Sequence, residues 1–266
     1  SSVSDKAQTL RFGPGVNYSY TGEKLHSTLS IGLNWDRSEY GTTVENTTAP
    51  WADLAVQCSI NKKNSFSVRV GYRKSIPSSG YRSAAVIQSN PLMSYTGNPS
   101  LVPYKSFDAD GNYTFIINKA FKMAAYGNVW VVDNRYVYDY QANDTGVLRT
   151  IKQPLGGFAQ WQYGVQGTGK FFKDNLQVSL SGYMLQGHNG APYNWNKGRM
   201  VVSASAFYYL KDFYFGATYR GPMVYPDGCM IGMWMDTRSN YTLQVGWSND
   251  RWNLRFYTRN PFYGNT

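Results

Sequence analysis

A two-residue rhythm constrains this chain more than any other feature. In "KLHSTLSIGLNWD" (residues 24–36), Leu25, Leu29, Ile31, Leu33 and Trp35 share one parity, interrupted by Ser27. His26, Thr28, Ser30, Gly32, Asn34 and Asp36 occupy the other. Successive side chains of a strand point to opposite faces, so the pattern predicts a strand with one apolar and one polar side. Typical strands of soluble domains have only about 5–6 residues. So long an apolar face needs something larger than an ordinary core to pack against.

The rhythm recurs along the chain, in 10–20, 54–60, 66–72, 107–117, 121–131, 161–165, 176–180, 200–208, 213–219, 241–247 and 252–256. With the first segment this predicts about twelve strands and no amphipathic helix between them. The connections alternate as well. "TGEK" (21–24), "NKKN" (61–64), "INKA" (117–120), "FKDN" (172–175), "LKD" (210–212) and "SNDR" (248–251) are tight polar turns, separated by longer links near 38–50, 75–104, 141–156, 187–198 and 221–237. Short turns on one side and long loops on the other are the pattern of outer-membrane barrels.

Mean hydropathy is −0.46, and no apolar run approaches the ~20 residues of a spanning helix. Neither fact counts against a barrel, whose strands alternate lipid-facing and lumen-facing residues. On the polar parity fall Ser65, Ser67, Arg69 and Arg73; Asp108, Asp110 and Asn112; Gln160, Gln162 and Lys170; Asn253, Arg255 and Arg259. A dry core cannot hold so many charges and amides, whereas a water-filled lumen can. Tyr20, Trp35, Tyr72, Phe213, Trp247 and Trp252 lie near strand ends, where interfacial aromatic girdles belong. The fold class expected is all-β: an antiparallel transmembrane β-barrel in a Gram-negative outer membrane.

Strand direction follows from the turns. The first strand descends to "TGEK" and the last ascends from "SNDR", so both ends of the chain are expected on the outer face. A complete barrel of this kind starts and ends in the periplasm, so residues 1–266 are expected to be a partial barrel domain. Further barrel strands would then be partners. The opening "SSVSDKAQ" has neither an initiator Met nor a signal-peptide core, as expected of a processed chain or a fragment.

"YTGNPSLVPYKSFDADGNYTF" (95–115) resembles a recurring element of TonB-dependent receptors and related large outer-membrane barrels, in which Asn-Pro-x-Leu-x-Pro-Glu leads from an outer loop into a descending strand. Asn98, Pro99, Leu101 and Pro103 match, and Tyr104 replaces the acidic residue. The resemblance implies a 22-stranded barrel occluded by a plug, importing a solute with energy delivered through TonB. Plug and TonB are therefore implied partners, although no plug domain or TonB box is recognised in this chain. The alternative function is a structural or secretion-assembly barrel that docks proteins on its outer loops.

Other motifs point away from enzymology. "GVQGTGKFF" (164–172) has Walker A spacing, but Phe171 stands where magnesium needs Ser or Thr. "DADGN" (108–112) opens like a calcium loop, but Tyr113 and Lys119 replace its Gly and closing Glu. His26 and His188 lack metal-ligand spacing, and neither G-x-S-x-G nor H-E-x-x-H occurs. No catalytic residue, metal site or cofactor is expected. Cys58 and Cys229 are expected to be free thiols. "MVYPDGCMIGMWM" (223–235) reads as an outward hairpin whose Cys229, Met230, Met233 and Met235 suit a soft metal, a ligand or lipoprotein partner, or packing among loops.

The formal charge of +10 suits outer-membrane lipid and lipopolysaccharide, and its scatter makes nucleic acid a poor partner. The expected solute site combines Arg69, Arg73, Arg255 and Arg259, near the upper ends of ascending strands, with Tyr193, Trp195 and Trp234 as stacking residues above them. Such cations would concentrate an anionic solute. Pairing with plug or loop carboxylates is the competing role.

Overall fold

The computed structural model describes residues 8–40, 43–143, 146–153, 156–190, 194–226 and 234–261. In chain order, the elements begin with β1 (Gln8–Phe12), β2 (Gly15–Thr21), β3 (Leu25–Tyr40), β4 (Thr43–Asn61) and β5 (Asn64–Ser75). Next come α1 (Ser79–Arg82), β6 (Val86–Asn90), β7 (Met93–Thr96), β8 (Tyr104–Ile116) and β9 (Phe121–Asp133). They continue with β10 (Val137–Asn143), β11 (Gly146–Lys152), β12 (Phe158–Phe171), β13 (Leu176–Asn189) and β14 (Trp195–Leu210). The last are β15 (Phe213–Arg220), β16 (Met223–Pro226), β17 (Trp234–Thr237), β18 (Asn240–Ser248) and β19 (Asn253–Arg259).

One antiparallel sheet dominates, in the order β1-β3-β4-β5-β8-β9-β12-β13-β14-β15-β18-β19, with β2 also on β3. Gly13 and Pro14 separate β1 from β2, and both pair with β3. Counted as one broken strand, they leave twelve wall strands, the number the alternation predicts. The sheet is open: among the described residues, β1 and β2 pair with β3 alone, and β19 with β18 alone.

The register collects each parity onto one face. One row runs Tyr18, Leu29, Leu54, Val70, Ala109, Val129 and Trp161 across seven strands. The next residue along gives Ser30, Asp53, Gly71, Asp108, Trp130 and Gln160 on the opposite face. Leu29 is 42% exposed, Ile31 49% and Val68 42%. The most deeply buried apolar side chains, including Ala49, Val132, Phe158 and Val201, lie instead on the polar parity, where loops cover them. This inverts the arrangement of a soluble domain and leaves a broad apolar surface for the bilayer.

The long links are more ordered than their sequence suggests. Links 38–50 and 187–198 are expected as loops, but β3 and β4 stay paired up to Tyr40 and Thr43, and β13 and β14 up to Asn189 and Trp195. Above the bilayer a backbone ladder needs no apolar partner, so alternation lapses while pairing continues. In link 75–104, α1 is a single helical turn where no helix is expected. The β6–β7 and β10–β11 hairpins form a second sheet through a parallel β7–β11 pairing. Link 221–237 forms the β16–β17 hairpin, whose tip lies outside the described residues.

Candidate functional site: a charged cavity on the polar face

The outer loops fold onto the polar face. Thr9 Oγ1 donates to Ser79 Oγ at 3.2 Å, and the buried Arg82 of α1 forms an ion pair with Glu45 of β4. The polar face holds a cavity of about 510 Å³, lined among others by Arg11, Asp36, Trp51, Arg73, Tyr104 and Tyr136. That volume falls within the ~300–1,000 Å³ of small-molecule sites.

Two ion-pair groups stand at this cavity, contributing Arg11, Asp36, Asp53 and Arg73 to its lining. Arg11 clamps Asp36 from two nitrogens, Nε to Oδ1 at 2.8 Å and Nη2 to Oδ2 at 2.7 Å, and the Asp36 side chain is only 2% exposed. The planar guanidinium matches the carboxylate fork, so the pair is held in one orientation. Asp53 of β4 receives Arg69 at 3.2 Å and Arg73 at 3.3 Å, both from β5. Asp108 and Asp110 of β8 follow on the other side, Asp110 as the register partner of Arg69. Two arginines thus stand among three aspartates, and the local charge is largely neutralised.

Aromatic side chains complete the cavity. Trp51 lies over Gly32, where an added Cβ would come within 2.5 Å of the indole. Any other residue at position 32 would displace that ring. Tyr136 meets Tyr104 and Tyr81 edge-on, with ring centres 5.1 Å and 5.6 Å away. Burial raises the Tyr136 phenol well above its ordinary range, and Tyr104 beside it adds to the effect. The hydroxyl stays protonated at any physiological pH and can act as a hydrogen-bond donor.

The other expected site residues are scattered. Arg255 and Arg259 lie on β19, eight wall strands beyond β5 in the sheet order. Arg255 is the third residue of β19, close to the short turn before it, rather than beneath the outer loops. It donates to Gln244 Oε1 at 2.7 Å. Arg259, the last residue of β19, stands at its upper end. Tyr193 lies outside the described residues, as do Cys229, Met230 and Met233. Trp195 opens β14 and Trp234 opens β17. Cys58 is a free thiol.

The motif residues are loop clamps. Asn98 Nδ2 donates to the Ile151 carbonyl at 3.0 Å, while its Oδ1 accepts from the Ser100 amide at 3.0 Å. Leu101 is 3% exposed, and Pro99 and Pro103 flank it before β8 begins at Tyr104. Asp53, Trp51 and Tyr136 are cavity residues that the sequence reading did not single out. The signal for Asp53 was its parity, which it shares with Gln57 and Trp51 on β4.

No curated relative matches the chain by sequence. In fold it is similar to the copper transporter OprC, with TM-score 0.70 and 12% identity, over 93% of this chain and 41% of that one. The FrpB iron transporter from Neisseria meningitidis gives TM-score 0.61 and 9% identity, over 92% of this chain and 40% of that one. The ferric-catecholate import receptor Fiu from K12 E. coli gives 0.60 and 14%, over 96% and 41%. The chain spans about two fifths of the length of these proteins. Residues 16–266 match the model of the Outer membrane protein beta-barrel family, so the chain belongs to that family and resides in the Gram-negative outer membrane.

Proposed function

We propose that this chain is the barrel portion of an outer-membrane receptor that binds a solute and imports it in the TonB-dependent manner. The observation that carries the reading is the cavity on the polar face, where ion pairs of the wall meet Tyr104 and the loop residue Tyr136. A purely structural barrel has no need of such a pocket. The similar solved structures named as transporters add support from fold alone. A plug, further strands and TonB would be supplied by the rest of the protein and the cell envelope.

Arg73 is the wall residue proposed to contact the solute, with Arg69 bracing it through their shared Asp53 and Tyr104 donating a hydrogen bond from the rim beside Tyr136. Because Asp53 already holds both arginines, the solute best suited to the cavity is polar and hydrogen-bonding rather than strongly anionic. The proposal does not depend on Arg255, Arg259, Tyr193, Trp195 or Trp234.

Depletion of solutes from the medium tests the reading, comparing cells with the complete gene deleted and cells with it restored. Import predicts at least one solute removed only by restored cells, with removal stopped when a protonophore discharges the inner membrane. Identical depletion by both strains would count against a receptor and favour a structural barrel.

A further inference from the structure

At the upper cavity Arg11 and Arg73 are paired with Asp36 and Asp53, but the opposite end of the wall has little such pairing. Three successive short turns along the sheet (61–64, 117–122 and 170–175) carry six lysines and one carboxylate, Asp174. The remaining short turns are balanced, with Glu23 beside Lys24, Asp212 beside Lys211 and Asp250 beside Arg251. The excess charge is therefore confined to one sector of the rim.

Within that sector, Lys119, Lys122 and Lys170 line a single cavity of about 350 Å³ together with polar Asn118, Gln166 and Thr168 and an apolar side that includes Ile116 and Met123. Lys122 is the register partner of Thr168, and the Lys170 amide donates to the Ala120 carbonyl at 2.8 Å. The Phe121 and Phe171 rings meet edge-on at 5.4 Å and hold the two strand ends together, Phe121 also forming part of the cavity's lining. Lys122 and Lys170 share the parity of Gln166, so both belong to the lumen side rather than the lipid side. Among the described residues, Asp174 is the one carboxylate within ion-pair reach of these lysines. It stands 3.9 Å from Lys170 with both side chains exposed, a pairing that contributes little.

We propose that this cavity binds a compact multivalent anion, bearing phosphate or several carboxylates, at the periplasmic mouth of the lumen. Three lysines on one concavity make it locally positive, and an anion bound among them would offset that charge. Lysines on flexible stems can each turn a donor toward the same group of oxygens. The hydroxyl of Thr168 and the amides of Gln166 and Asn118 supply neutral donors beside them. The side of the membrane rests on short turns facing the periplasm, whereas anion binding itself does not require the import reading.

Isothermal titration of the complete, detergent-solubilised protein with inorganic pyrophosphate, and separately with citrate, tests the site without any energised transport. The expected result is saturable binding of at least one of them, weakened about tenfold by Lys122→Gln and further by adding Lys170→Gln. Raising the salt from about 50 to 200 mM should weaken it as well. Lys211→Gln, in a balanced turn, should leave binding unchanged. Lys119→Gln gives an independent reading should the double variant fail to assemble. Absence of binding by both anions, or binding unaffected by every cavity variant, would overturn the proposal.

Discussion

Gln153 and Val102 exchange two hydrogen bonds: the Val102 amide donates to Gln153 Oε1 at 2.9 Å, and Gln153 Nε2 donates to the Val102 carbonyl at 2.8 Å. A side-chain amide thus imitates a strand neighbour. Nε2 also reaches the Asn134 carbonyl, so one residue joins three outer segments. Gln153→Ala is expected to release the 97–103 segment, with the loss of roughly 1–3 kcal/mol of local stability. Hydrogen exchange should show faster amides there, while β3, β4 and β12 keep their protection.

Arg11 and Asp36 make a similar prediction for the edge of the wall. Replacing Arg11 with Leu leaves the buried Asp36 carboxylate without its fork. The expected cost is about 1–3 kcal/mol, read as a lower urea midpoint in detergent and faster exchange in β1. Arg11→Leu combined with Asp36→Leu should recover part of the loss, because no unpaired charge then remains.

Parity predicts opposite outcomes for adjacent residues. Leu243 lies on the apolar face and Gln244 on the polar one. Leu243→Arg should destabilise the barrel in lipid by about 2–4 kcal/mol if it sits near the bilayer midplane. Gln244→Arg should cost far less. Unfolding titrations in lipid vesicles, with both variants side by side, would expose any error in assigning the faces.

The β10–β11 hairpin should respond to acid. Lys152 holds the Asp139 carboxyl below its ordinary value by a direct hydrogen bond, against the opposing effect of burial, and Gln141 assists at 3.1 Å. A carboxyl lowered on folding stabilises the hairpin above its unfolded pKa of about 3.9, and that contribution fades as pH falls through the lower folded value. Exchange protection in β10 and β11, corrected for intrinsic rates, should therefore drop below about pH 4. Asp139→Asn should remove this dependence.

The two faces, the twelve wall strands and the short-long rhythm of connections were all legible in the amino-acid sequence. Each is a local property: parity repeats every second residue, and a tight turn declares itself within four. Leu29 and Ile31 need no knowledge of β4 to be placed on the lipid side. The partners of the charged groups are a different matter. Asp53 meets Arg69 and Arg73 only through the β4–β5 register, and one step of slip would put it on the other face. The parallel β7–β11 pairing, the clamp of Gln153 on Val102, and the meeting of Lys119 and Lys122 with Lys170 join segments about fifty residues apart. The sequence alone determined which way each wall side chain faces, because pleating is set by neighbouring residues. Only the tertiary structure decided which charges are neutralised and which are left to bind something else, because that depends on how distant strands come into register.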